Sequence, residues 1–102
     1  MELVITKDNV EIIAEKIVKE CYGEFYEHMK NEHEKGQQEL KTKGYISSDA
    51  SEFRDGFYRI VDKYLSKFDK VEFKDVTKDE LVSHVSCIAV ALWYHQNRLL
   101  RV

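Results

Sequence analysis

The sequence predicts a mainly α domain spanning residues 1–102. Its form is a three-helix bundle with the C-terminal helix at the centre, joined by a minor two-stranded ribbon from residues 2–6 and 71–76. Three observations carry this reading. Apolar residues recur with the α-helical period in three separate stretches. The run from Val85 to Tyr94 is apolar on nearly every side, and a helix of that kind is buried all round or covered by another chain. None of the 102 residues is proline, the residue that most often breaks helix interiors.

The chain opens on Glu2-Leu3-Val4-Ile5-Thr6, a short β-branched, apolar stretch that reads as a strand or an extended lead-in. Thr6 or Asp8 is then positioned to cap a first helix, with Glu11 three residues after Asp8 as a capping-box partner. At 100° per residue, Val10, Ile13, Ala14, Ile17, Val18, Cys21, Phe25 and His28 fall on one broad stripe. Past Met29 the pattern fades into polar residues, with Leu40 the one apolar residue before Gly44. Residues 30–43 therefore read either as a solvated helical extension or as a frayed loop, which Gly36 would weaken by about 1 kcal/mol relative to Ala.

Gly44 to Ser51 is the one clear connector. A second helix of roughly 18 residues starts near Ser48 or Asp49, the latter at capping-box spacing from Glu52. Its stripe is Phe53, Phe57, Ile60, Tyr64 and Phe68. Val71 and Phe73 then alternate with charged residues, which suits a short strand that can pair with the N-terminal one. Such a ribbon is marginal alone and needs helices to cover it. Thr77 and Glu80 form the best capping box in the chain, opening a third helix that runs to about Leu100, with Arg98 and Arg101 favourably placed in its last turn. Two apolar sides of this helix, one with Leu81, Val85, Ile88 and Leu92 and one with Ala89, Val90 and Trp93, exceed what a small three-helix domain covers easily. The expected solution is a homodimer, most often two-fold. Phe57 and Ile88 are expected to face the bundle centre.

With 43% hydrophobic and 34% charged residues the chain reads as folded and soluble. Net charge is −3. Residues 1–44 hold 7 Lys/Arg against 10 Asp/Glu and residues 45–102 hold 9 against 9, so neither half is the basic patch of a nucleic-acid binder. Cys21 and Cys87 fall in apolar helical patterns and match no disulfide or zinc framework, so both are expected to be free, buried thiols of a reducing cytoplasm. No signal-peptide pattern is present, and residues 81–94 are too short and too interrupted to span a bilayer. A cytoplasmic protein without a membrane association is expected.

The chemistry-bearing residues form no strong motif. His84 and His95 are eleven residues apart, on one side of the third helix, and Glu24, His28 and Glu32 form a ladder on the first. A metal-dependent enzyme using His28, His84 and His95 is one reading, but the Glu-x-x-His and His-Glu-x-x-His patterns are absent, and no metal is expected. No glycines flank a serine as a nucleophile elbow requires, and Gly23, Gly36, Gly44 and Gly56 are too scattered to cradle a phosphate. No catalytic residue and no cofactor are expected. Lys63, Lys67, Lys70, Lys74 and Lys78, with Arg54 and Arg59 upstream, interleave with Asp55, Asp62, Asp69, Asp75 and Asp79, which reads as a solvated face; a nucleic-acid-associated regulator is the alternative it leaves open.

By elimination the expected function is a small protein–protein interaction module, in its sharpest form an inhibitor or immunity-type protein that binds a basic partner. Glu11, Glu15, Glu20, Glu24 and Glu27 would supply an acidic helix face. The expected partner-binding residues are Glu20, Glu24 and Glu27, with Tyr26 and Tyr58, which fall off their stripes, and Trp93.

Overall fold

The computed structural model describes residues 1–45 and 50–100, and of residues 50 and 98–100 the backbone alone. The order of elements is β1 (Glu2–Thr6), α1 (Val10–Glu20), α2 (Tyr22–Lys43), α3 (Ala50–Leu65), β2 (Lys70–Lys74) and α4 (Lys78–Leu100). The fold is mainly α with a minor β ribbon, as the sequence predicts, but the described residues form four helices instead of three.

The extra helix arises at Cys21. Its backbone leaves the helical well at φ −107°, ψ 21°, which ends α1 and starts α2 in a single residue. Cys21 N–H still donates to Ile17 O at 2.9 Å, and Cys21 O accepts from Phe25 N–H at 3.1 Å, so the bend costs little hydrogen bonding. Because so short a break preserves the helical phase, the predicted stripe survives it. Val10, Ala14, Ile17, Val18 and Phe25 are buried, and Ile13, Cys21 and His28 are half-buried. Residues 30–43 are helical and continue α2 to Gly44, which caps it in the left-handed conformation at φ 79°.

The start of α1 also differs from expectation. Asn9 takes the N-cap position, and its side chain turns back to the strand instead of capping the helix. Asn9 Oδ1 accepts from Thr6 N–H at 2.7 Å while Nδ2 donates to Val4 O at 2.9 Å. The Asn amide donates from one atom and accepts on another, which an ionised Asp8 carboxylate cannot do.

The strands pair in parallel, Glu2 opposite Lys70 through Thr6 opposite Lys74. Ile5 is fully buried, and Leu3, Val71 and Phe73 pack on the core from the same face. After β2, Asp75 turns the chain at φ 57°, a conformation that Asp tolerates better than most residues. Thr77 then caps α4 as predicted, its Oγ1 accepting from Glu80 N–H at 3.1 Å. The predicted Ser48 or Asp49 cap of α3, the Arg98 side chain and Arg101 lie outside the described residues.

The C-terminal helix is central, in contact with α1, α2 and α3. Its buried side is Leu81, Val82, Val85 and Ala89, so the division into two apolar sides is shifted from the predicted one. Ala89 is fully buried and Trp93 half-buried, whereas Ile88 reaches only the margin of the core and Leu92 is 39% exposed. Phe57 is buried as predicted, at 1% exposure. The thiols depart from expectation: Cys21 is half-buried and Cys87 is exposed. Cys87 lies opposite Ala89 on the helical wheel, two residues and about 200° away. Among the described residues, no helix is long and apolar enough to cross a membrane.

Candidate functional site

The α2–α3 contact is closely fitted around His28. His28 stacks on Phe53 with ring centroids 5.6 Å apart and meets Phe57 edge-on at 5.3 Å. Its Nε2 donates to Phe53 O at 2.8 Å. The ring fits there because Gly56 has no side chain: a Cβ at that position would stand 2.1 Å from His28 Cε1. The Nε2 of this histidine is thereby committed to the packing of α2 on α3. His84 is half-buried on α4 and His95 exposed, and among the described residues no three His, Cys, Asp or Glu side chains come close enough to share a metal ion.

Beside His28 an open groove of about 620 Å³ runs between α2 and α3. Glu24 and Glu27 enter it from α2, and Arg59 and Lys63 from α3. Lys63 Nζ lies 3.1 Å from Glu24 Oε1. The predicted acidic face is therefore interrupted at Glu24, which pairs with Lys63, and Glu27 shares its groove with Arg59. The third predicted contact glutamate, Glu20, ends α1 and accepts a hydrogen bond from Tyr64, whose phenol is pushed up to about 12, first by burial and then by this bond. The Lys series is likewise committed in part: Lys78 pairs with Asp62, and Lys67 sits over the Tyr64 ring at 5.3 Å.

The aromatic contact residues divide between two places. Tyr26 and Trp93 meet, with ring centroids 5.1 Å apart, and His33 approaches the same indole at 6.1 Å. Tyr22 extends this α2–α4 seam by donating from its hydroxyl to Gln96 Oε1. Tyr58 instead bridges α3 to α4, its hydroxyl donating to Asp79 Oδ1. Both tyrosines are half-buried, not directed freely into water, because each has a partner on α4.

The sequence marks α4 as an association surface through Ala89, Val90 and Trp93, but the side that remains outward is a different one. From Leu81 to Asn97 the chain carries no Asp, Glu, Lys or Arg. Within that run Cys87, Ala91, Leu92, Tyr94 and His95 are exposed, with Tyr94 at 63%. A surface helix ordinarily turns charged residues to water. The signal was present in the sequence as the absence of charge, but which residues of the run face outward depends on where α1, α2 and α3 dock. No protein-family model, curated protein or solved structure matches the chain.

Proposed function

We propose that this protein is a small cytoplasmic protein–protein interaction module that associates through the outward face of α4, and that the association includes a homodimer. The observation that carries the proposal is the seventeen-residue run without formal charge whose outward residues remain exposed. Interface centres are depleted of charge, as this face is, and Tyr94 supplies it with an exposed aromatic side chain. A two-fold interface sets a patch against itself, so a charge-free patch meets its copy without repulsion, which the acidic remainder of a chain of net charge −3 does not.

The inhibitor or immunity-type version, acting through Glu20, Glu24 and Glu27 on a basic partner, draws support from the acid surplus of residues 1–44. Arg59 and Lys63 weaken the field at Glu24 and Glu27, so the α4 face is the stronger basis.

A helix face of seventeen residues is about 25 Å long, and its area is well below the ~800 Å² per partner of a standard interface. A micromolar, concentration-dependent dimer is therefore expected. Sedimentation equilibrium from low to high micromolar concentration should show a monomer–dimer equilibrium for the native chain and a folded monomer for Leu92→Glu. A 12.1 kDa species at every concentration would reject self-association.

A further inference from the structure

A second cleft, of about 330 Å³, opens between α3 and α4 on the far side of the Tyr58–Asp79 bridge. Small-molecule sites begin at about this size, with apolar walls and a few placed polar groups. Phe53, Phe57 and Val82 supply the apolar wall, the two phenyl rings meeting edge-on with centroids 5.1 Å apart. Arg54, Ser83 and Ser86 supply polar groups. One turn back from Tyr58 on α3 comes Arg54, and one turn forward from Asp79 on α4 comes Ser83, so the bridge sets these two at the same level of the cleft.

The polar groups are unequally engaged. Asp79 accepts from Tyr58, and Ser86 Oγ donates to Ser83 O at 2.9 Å. Arg54 has no carboxylate within ion-pair distance among the described residues: the four ion pairs use other cations, and Glu52, two residues away, is taken by Lys35. The Ser83 hydroxyl has no partner among the described residues either.

We propose that this cleft binds a small monocarboxylate with an apolar body, its carboxylate on the Arg54 guanidinium and the Ser83 hydroxyl, its body against Phe53. A guanidinium presents paired N–H donors that match the two oxygens of one carboxylate. The apolar wall selects an aryl or branched aliphatic body over a short hydrophilic acid. Asp79 keeps a negative charge on the cleft, which disfavours phosphates and polycarboxylates that carry more than one charge past it. This site lies on the α3 side of α4, and its Ser83 stands one turn before Cys87 of the face proposed for association.

Two-dimensional NMR of the full-length, ¹⁵N-labelled chain tests it with sodium benzoate, benzamide and inorganic phosphate as probes. Benzoate should shift the amide resonances of Arg54, Tyr58 and Ser83 and saturate with a millimolar Kd, the range open to a ligand of so few atoms. Benzamide, of the same shape without the charge, and phosphate, charged without the apolar body, should leave these resonances in place. Arg54→Gln, an exposed substitution, should weaken benzoate about tenfold while the rest of the spectrum shows the fold intact. The proposal is overturned if benzoate at tens of millimolar moves none of the three resonances, if benzamide or phosphate binds as tightly, or if Arg54→Gln binds benzoate unchanged.

Discussion

His28 of α2 occupies the space that a side chain on Gly56 of α3 would need, with three of its ring atoms 2.1–2.6 Å from the position of a Cβ there. The ring has no easy retreat, since Phe53 and Phe57 flank it and Phe53 O holds its Nε2. Alanine is the better helix former by about 1 kcal/mol, yet overpacking a fitted contact costs about 1–3 kcal/mol. Gly56→Ala is therefore expected to destabilise the protein by about 1 kcal/mol. In a His28→Ala background the same substitution should stabilise it. Urea denaturation of the four chains of this double-mutant cycle measures the sign in each background, and an equal effect in both would disprove the close contact.

Phe57 and Ile88 should separate in the same kind of measurement. Phe57→Ala removes a fully buried ring and is expected to cost about 3–5 kcal/mol. Ile88 is half-exposed at the margin of the core, and Ile88→Ala should cost less than half as much.

The two thiols should react at very different rates. Cys87 is exposed and is expected to label with a maleimide within the mixing time of a native sample. Cys21 is half-buried, and burial first, then Glu24, holds its thiol pKa above the ordinary value, so less of it is thiolate at neutral pH. Mass spectrometry over time should show one adduct quickly and the second slowly until denaturant is added.

Tyr64 gives the fold an alkaline limit. Its phenol keeps its proton up to about 12 in the folded chain and titrates near 10 once unfolded. The raised folded value means that its contribution is complete below pH 10 and is lost between pH 10 and 12, where the unfolded chain releases the proton first. At about pH 11 the loss should amount to roughly 1 kcal/mol. Other phenols and lysines titrate in the same range, so the comparison is with Tyr64→Phe, whose stability should fall by that much less between pH 8 and pH 11.

What the sequence disclosed was the part of the fold written in local periodicity. The Phe53-Phe57-Ile60-Tyr64 part of the second stripe and the Thr77–Glu80 cap are properties of neighbouring residues and stand in the structure as read. Phe68, the fifth residue of that stripe, lies beyond the end of α3 at Leu65 and still packs on the core. The bend at Cys21 escaped because it preserves the phase of the stripe on either side, leaving the periodicity unbroken. His28 could be placed on a stripe but not against Gly56, since that pairing joins residues 28 positions apart and depends on how α2 crosses α3. Arg54 looked like one more cation of a mixed series; the docking of α4 closes a cleft over it with Val82 and Ser83, and among the described residues it has no ion-pair partner. Cys87 was misjudged for a related reason, because an apolar run all round a helix does not reveal which side the neighbours cover.

The parallel register of the ribbon bears on the order in which the chain is made. Every paired position of β1 is separated from its partner on β2 by sixty-eight residues, with three helices between them. On a ribosome adding about 5–20 residues per second, the first strand waits for several seconds before its hydrogen-bonding neighbour exists. Through that interval α1 packs on it, and the unpaired edge of β1 is open to any other extended chain. The ladder thus closes late, with only the central α4 still to follow it in the chain, and a translational pause within α3 would lengthen the nascent strand's exposure.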